Sequence, residues 1–91
     1  MYSYLITYEF PGGGDDDAMV AAIRSFGRWW HYLRATWIIT TPSLAPEVYA
    51  RLRPILPATG RLLIIQVHAS DQRKGWLNEE AWDWLGRSLA P

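Results

Sequence analysis

The residue best placed for chemistry is Glu9, which ends a strand-forming run over residues 2–8. Three glycines, at 12–14, and three aspartates, at 15–17, follow it closely, and we expect one of these aspartates to cap the helix that comes next. Carboxylate oxygen is the ligand that Mg²⁺ or Mn²⁺ prefers, so Glu9 is our candidate metal ligand and catalytic residue. In a dimer, two copies of this carboxylate could face each other and hold one ion. The alternative is a solvated glutamate, or one paired with Arg34 or Arg61.

Five arginines are the candidate nucleic-acid-binding residues, because guanidinium groups contact phosphates. They are Arg24, Arg28, Arg34, Arg51 and Arg53. The first two are four residues apart, which predicts one polar face of a first helix, and the last two fall on a second helix. Helices packed side by side would align these cations as a stripe. The alternative is a solvated helix face.

Composition limits the classes of function. Nine basic residues balance nine acidic ones, which counts against a general nucleic-acid binder. The chain has no cysteine, which excludes disulfides and thiolate metal sites and fits a cytoplasmic location. No apolar run reaches the length of a membrane span. Six tryptophans in 91 residues exceed what a small core hides, so we expect a second copy to cover some of them; the alternative is that they are scattered surface aromatics.

The hydrophobic pattern predicts a single α+β domain over residues 1–91. The predicted elements are a strand over residues 2–10, a helix ending at Gly27, two strands within residues 29–41, a helix capped by Ser43, a central strand over residues 62–67 and a helix capped by Asn78. This order predicts the ferredoxin-like βαββαβ plan, an antiparallel sheet with two helices on one face plus a C-terminal helix. The other face must meet solvent, the last helix or a partner, and that open face predicts a homodimer.

Two segments resemble a known family. Residues 4–10 resemble the first-strand signature of the small CRISPR-associated adaptation protein, and Gly27 with residues 34–38 resembles its later glycine and second-strand segment. VapD-type toxins share this plan. The resemblance covers about residues 2–68. It implies a ferredoxin-like dimer that is either a metal-dependent endonuclease or a non-catalytic scaffold for DNA integration.

The chain departs from that family at two places. Glu9 stands where the family has aspartate, and residues 12–17 replace the basic residues that usually follow. Three hypotheses therefore stay open. The first is a nucleic-acid-associated protein, either an active or a degenerate endonuclease. The second is a non-enzymatic dimeric adaptor or inhibitor in phage defence that binds protein through a tryptophan-rich surface. The third is a binder of a nucleotide-type ligand at the dimer interface.

Overall fold

A four-stranded antiparallel sheet with three α-helices makes up the computed structural model, which describes residues 1–13 and 16–91. The strands are β1 (Tyr2–Glu9), β2 (Arg28–Leu33), β3 (Thr36–Thr41) and β4 (Arg61–Val67). The helices are α1 (Asp17–Arg24), α2 (Ala45–Leu52) and α3 (Glu79–Ser88), with short 3₁₀ turns at Pro11–Gly13 and Arg53–Ile55. The strands lie in the order β2-β3-β1-β4, and each adjacent pair is antiparallel. The predicted α+β class is confirmed, and the arrangement is compatible with the ferredoxin-like plan.

The main core lies between one face of the sheet and the first two helices. Tyr4, Ile6 and Tyr8 are buried there, as their alternation along β1 predicts. Two side chains of β3, Trp37 and Ile39, are fully buried beside them. The helical side contributes Met19, Ile23, Phe26, Val48, Leu52 and Leu56. Each large apolar side chain buried in this way stabilises the fold by about 1.5–3 kcal/mol.

The strand predicted to be central is instead an edge strand. β4 is the last strand of the sheet and pairs with β1. Leu62 and Ile64 pack against the core, whereas Leu63 and Ile65 are 50% and 49% exposed. An unbroken apolar run predicts burial on both faces, but here one face of the strand stays open. The prediction of a central strand is therefore wrong.

The starts and ends of the first two helices also differ from the prediction. α1 ends at Arg24, so Arg28 lies in β2 and not on a helix face with Arg24. Ser43 does not cap α2, because the residue at the cap position is Leu44. Instead, the Ser43 carbonyl accepts a hydrogen bond from the Tyr4 hydroxyl at 2.8 Å.

Helix α3 covers part of the second face of the sheet. Ala81 and Leu85 of α3 pack with Trp30 and Ile38 in a second buried cluster. The indole N–H of Trp30 donates to the Ala81 carbonyl at 3.0 Å. Asn78 caps the helix as predicted, accepting from the Ala81 N–H at 2.9 Å. The face from which we predicted a homodimer is thus partly covered from within the chain.

A buried relay of hydrogen bonds fixes the C-terminal segment to this second face. The Ala90 N–H donates to Ser3 Oγ at 2.8 Å, and Ser3 Oγ lies 2.7 Å from Thr40 Oγ1. Thr40 Oγ1 donates to the Ser88 carbonyl at 2.7 Å. Because the single hydroxyl proton of Thr40 is used on Ser88, Ser3 must be the donor to Thr40. Every group in the relay therefore has a partner.

A tyrosine holds the start of α1. The Tyr8 hydroxyl donates to Asp16 Oδ2 at 2.7 Å, so this carboxylate does not cap the helix; Asp15, another predicted cap, lies outside the described residues. Burial raises the pKa of Tyr8 to about 12, and the hydrogen bond and charge of Asp16 add to the shift. The buried Nε1–H of Trp37 acts in the opposite direction and lowers the pKa of Tyr8. This N–H makes no hydrogen bond of full geometry to any described residue.

No helix in residues 1–13 and 16–91 has the length and apolar character needed to cross a membrane.

Gly27 is required by its backbone conformation and by a close approach to β3. Its φ is +142°, and an added Cβ would lie 2.7 Å from the Thr40 carbonyl oxygen. We expect Gly27→Ala to lower the free energy of unfolding by about 1–3 kcal/mol or more, because both effects strain the backbone. Urea denaturation measures the change. Gly86→Ala is the matched control: nothing lies within 4 Å of its added Cβ, and alanine favours the α3 interior by about 1 kcal/mol. Equal stabilities of the two variants would contradict this account.

The raised pKa of Tyr8 predicts alkaline sensitivity. An unfolded tyrosine titrates near pH 10, so the stability that the protonated Tyr8 contributes is complete below about pH 10. It is lost as the pH rises through the folded-state pKa of about 12. We therefore expect the free energy of unfolding to fall between these pH values more steeply in the native sequence than in Tyr8→Phe. Burial also raises the pKa of Tyr4, but Tyr4 is present in both proteins, so it does not contribute to the difference between their slopes. Tyr49→Phe, at a half-exposed ring, should keep the native slope; identical slopes in all three proteins would refute the assignment.

Candidate nucleic-acid interface

The candidate metal ligand, Glu9, is exposed at the end of β1. It lies on the sheet face opposite the main core, and its cross-strand partner is Arg61 of β4. Together with Thr7, Tyr8, Leu62 and Leu63, these residues line a shallow cleft of about 170 Å³. Among the described residues, no ion pair joins Glu9 to Arg34 or Arg61 within 4 Å. The cleft thus combines one carboxylate with one guanidinium.

Within the described part of a single chain, no group of three or more histidine, aspartate and glutamate residues could hold a metal ion. A site made from one Glu9 of each copy in a dimer is a different arrangement, and it stays a prediction.

Arg24 lies beside two tryptophans at the end of α1. Its guanidinium carbon is 4.6 Å from the ring centre of Trp29 and 5.8 Å from that of Trp37. The two indoles are tilted against each other, with ring centres 5.7 Å apart. Trp37 is fully buried, while Trp29 is 40% exposed. The arginine is therefore held over an indole that solvent and ligands can reach.

A second arginine is held in the same way next to the first. The guanidinium carbon of Arg51 is 4.5 Å from the ring centre of Phe26, and its Nη2 donates to Ser25 Oγ at 2.7 Å. Because Ser25 directly follows Arg24, the two cations are brought close to one short segment. We call Arg24, Ser25, Phe26, Trp29 and Arg51 the arginine–aromatic surface.

The other three predicted arginines lie elsewhere. Arg28 pairs in register with Thr40, which places it on the sheet face that α3 covers. Arg34 is exposed in the turn between β2 and β3. Arg53 is half-buried and donates to the Leu56 carbonyl at 3.1 Å. The structure therefore brings together two of the five predicted residues and not a continuous stripe.

Charge is unevenly distributed although the chain is neutral. Residues 18–60 contain all five of these arginines and a single acid, Glu47. That carboxylate accepts a hydrogen bond from the Leu44 N–H at 3.1 Å, so it is engaged at the start of α2. No ion pair within 4 Å joins any of the five arginines to a carboxylate in residues 1–13 and 16–91. Within the described residues, Arg24 and Arg51 are thus not joined to a carboxylate by an ion pair.

The aromatic residues of this surface were not among the predicted site residues. Period-two alternation in β2 places Trp29 and His31 on one face, and His31 stacks on Trp37 with ring centres 3.6 Å apart. The imidazole Nε2–H of His31 donates to the Arg34 carbonyl at 2.8 Å, so this histidine is structural. The alternation could be seen in the sequence. The position of Trp29 beside Arg24 could not, because it depends on the turn at Gly27.

Comparison with known proteins gives no identity: no protein family, curated protein or solved structure matches this chain.

Proposed function

We propose that the protein binds single-stranded nucleic acid through the arginine–aromatic surface. The observation that carries the proposal is the Arg24 guanidinium held 4.6 Å above the half-exposed ring of Trp29. Proteins that bind single strands combine cations for the backbone with aromatic or guanidinium planes for the bases. A guanidinium placed over an indole keeps its N–H groups available for phosphate oxygens.

The second cation, Arg51, favours binding along a nucleic-acid strand over binding of a single anion, because the surface then offers two phosphate contacts. Arg51 is fixed by its contacts with Phe26 and Ser25, so little side-chain freedom is lost when phosphate binds. Preorganised donors bind more tightly because that entropy cost is already met. Residues 18–60 contain a single acid, Glu47, so little negative charge in this segment opposes the phosphates.

The proposal includes a ferredoxin-like fold related to the small CRISPR-associated adaptation protein. The order of elements and the strand order β2-β3-β1-β4 support it, as do the short sequence segments that resemble that family. The fold gives nucleic-acid binding a context, but the residues proposed to bind are those of this chain.

We further propose that nuclease chemistry is lost. Glu9 has a cation, Arg61, as its cross-strand partner. Although no ion pair within 4 Å joins the two side chains, a nearby positive charge repels a divalent cation and weakens its binding to the carboxylate. Binding without cleavage corresponds to the scaffold role that the resemblance implies.

A second candidate function is protein binding, and one observation favours it. Trp76, in the segment between β4 and α3, is 99% exposed. Exposed tryptophans are frequent anchors in protein interfaces. An adaptor of this kind would use Trp76, and nucleic-acid binding would use Trp29.

The proposal also includes a homodimer joined through β4. Natural edge strands are protected by lysine, proline or bulges, and residues 61–67 contain neither of those residue types. The pairing of β4 with β1 has no register shift. Antiparallel pairing of two copies about Ile64 would set Leu63 of each against Ile65 of the other, and both side chains are half exposed in one chain.

Loss of one cation should weaken nucleic-acid binding in a salt-dependent way. We expect Arg24→Gln and Arg51→Gln each to lower the affinity for a labelled oligonucleotide of about 16 nucleotides. Each should reduce the slope of log K against log salt by about 0.7, the value for one phosphate contact on a single strand. Fluorescence anisotropy at several salt concentrations, with RNA and DNA of one sequence, measures both quantities.

Three further variants sharpen this experiment. Arg87→Gln removes an exposed cation on α3 and should change neither affinity nor slope. Trp29→Leu should weaken binding, whereas Trp76→Ala should not; the reverse result would favour the adaptor. Salt-sensitive binding to neither RNA nor DNA would overturn the proposal. Cleavage that requires Mg²⁺ or Mn²⁺ and disappears in Glu9→Gln would overturn the loss of nuclease chemistry.

The dimer is tested at the exposed face of β4. We expect the native chain to be dimeric and Ile65→Lys to raise the dimer dissociation constant at least about 100-fold, because an unpaired buried ammonium costs several kcal/mol. Sedimentation velocity measures the association state. Leu44→Lys is the matched control, since Leu44 is 51% exposed and lies outside the sheet. We expect this variant to remain dimeric. A monomeric native chain would contradict the proposal.

A further inference from the structure

A cavity of about 230 Å³ lies between the second face of the sheet and α3. Its floor and walls are aliphatic: Leu5 and Ile38 come from the sheet, Val67 from the end of β4, and Leu85 and Leu89 from α3 and its end. This cavity is on the side of the sheet opposite the arginine–aromatic surface and shares no residue with it.

The walls of the cavity are fixed by hydrogen bonds. The Ala69 N–H donates to the Ala90 carbonyl at 2.8 Å, and the Ala90 N–H donates to Ser3 Oγ at 2.8 Å. The segment that carries Leu89 is thus tied both to the sheet and to the loop after β4. A site held in this way is largely formed before a ligand arrives, as small-molecule sites usually are.

Four polar residues form the rim. They are His68, Asp71, Gln72 and Arg73. The Arg73 Nη1–H donates to the Ala69 carbonyl at 3.0 Å, which holds the guanidinium at the mouth. Because a guanidinium has five N–H donors, four remain for a ligand.

The acid of the rim is turned to its own loop. Asp71 Oδ2 accepts a hydrogen bond from the His68 N–H at 2.8 Å and lies 3.4 Å from Nδ1 of the same residue. The backbone hydrogen bond is the largest cause of a lowered pKa of Asp71. Because a carboxylate only accepts hydrogen bonds, Arg73 is the permanently charged donor of the rim for an anionic group.

We propose that this cavity binds a small monocarboxylate whose apolar body fills the aliphatic floor and whose carboxylate meets Arg73. The volume sets the size of the ligand. An engineered aliphatic cavity of about 150 Å³ holds benzene, and typical drug-sized sites begin at about 300 Å³. A cavity of about 230 Å³ therefore fits an aromatic or branched acid about as large as benzoate. This site goes beyond the proposed nucleic-acid binding and does not depend on it.

Three probes of similar size and different charge test the assignment: benzoate, benzyl alcohol and benzylamine. Titration of the full chain, followed by amide chemical shifts in ¹⁵N-labelled protein, should show saturable changes at Leu5, Val67 and Leu89. We expect benzoate to bind about tenfold more tightly than benzyl alcohol, the ratio that one charge-assisted hydrogen bond supplies. Benzylamine should bind most weakly.

Two variants separate the carboxylate contact from the apolar floor. Arg73→Gln should reduce benzoate affinity to that of benzyl alcohol and leave benzyl alcohol unchanged; Lys74→Gln, at the neighbouring exposed cation, should change neither. Leu5→Phe should block both probes by filling the floor. If Leu5→Phe does not fold, the comparison with Arg73→Gln still decides the question, since Arg73 is exposed. No saturable shifts at the cavity, tighter binding of benzylamine, or unchanged benzoate affinity in Arg73→Gln would overturn the proposal.

Discussion

The buried contact between Ser3 and Thr40 is the constraint on which the second half of the structure depends. These hydroxyls are buried, and each would cost about 1–3 kcal/mol if left without a partner. Their partners are backbone groups of Ser88 and Ala90, so the hydroxyls are satisfied only when the C-terminal segment is in place. The relay, together with the hydrogen bond from the Trp30 indole to the Ala81 carbonyl, therefore fixes α3 in one position.

The position of α3 divides the second face into two regions with different properties. Under the helix, Leu5, Ile38 and Val67 form the floor of a cavity because the aliphatic side chains of α3 do not fill the space. Beyond the helix, Leu63 and Ile65 of the edge strand remain half exposed. We propose a small ligand for the cavity and a second copy of the chain for the edge strand. Both regions thus follow from the position of α3 on the sheet.

Local patterns could be predicted from the sequence, and pairing could not. The alternation of Tyr4, Ile6 and Tyr8 and the Asn78 cap are decided by neighbours along the chain, and both predictions are confirmed. Whether β4 lies at the centre or the edge depends on which strand it meets, which its own apolar run does not encode. The arginine–aromatic surface was only partly predicted, since Arg24 meets Trp29 through a turn at Gly27 whose geometry depends on contact with β3.

Net charge is a poor guide to whether one surface of this chain could bind phosphate, although neutrality initially argues against the proposal. Electrostatic interactions between exposed charges fade beyond a Debye length of about 8 Å at physiological salt. A ligand therefore responds to the charges around its own site and not to the sum over the molecule. Acids are concentrated before residue 18 and after residue 70, apart from Glu47. Segregation of this kind lets a neutral protein present a positive surface to phosphate while its remaining surfaces stay free of the non-specific attraction that a uniformly basic protein would have.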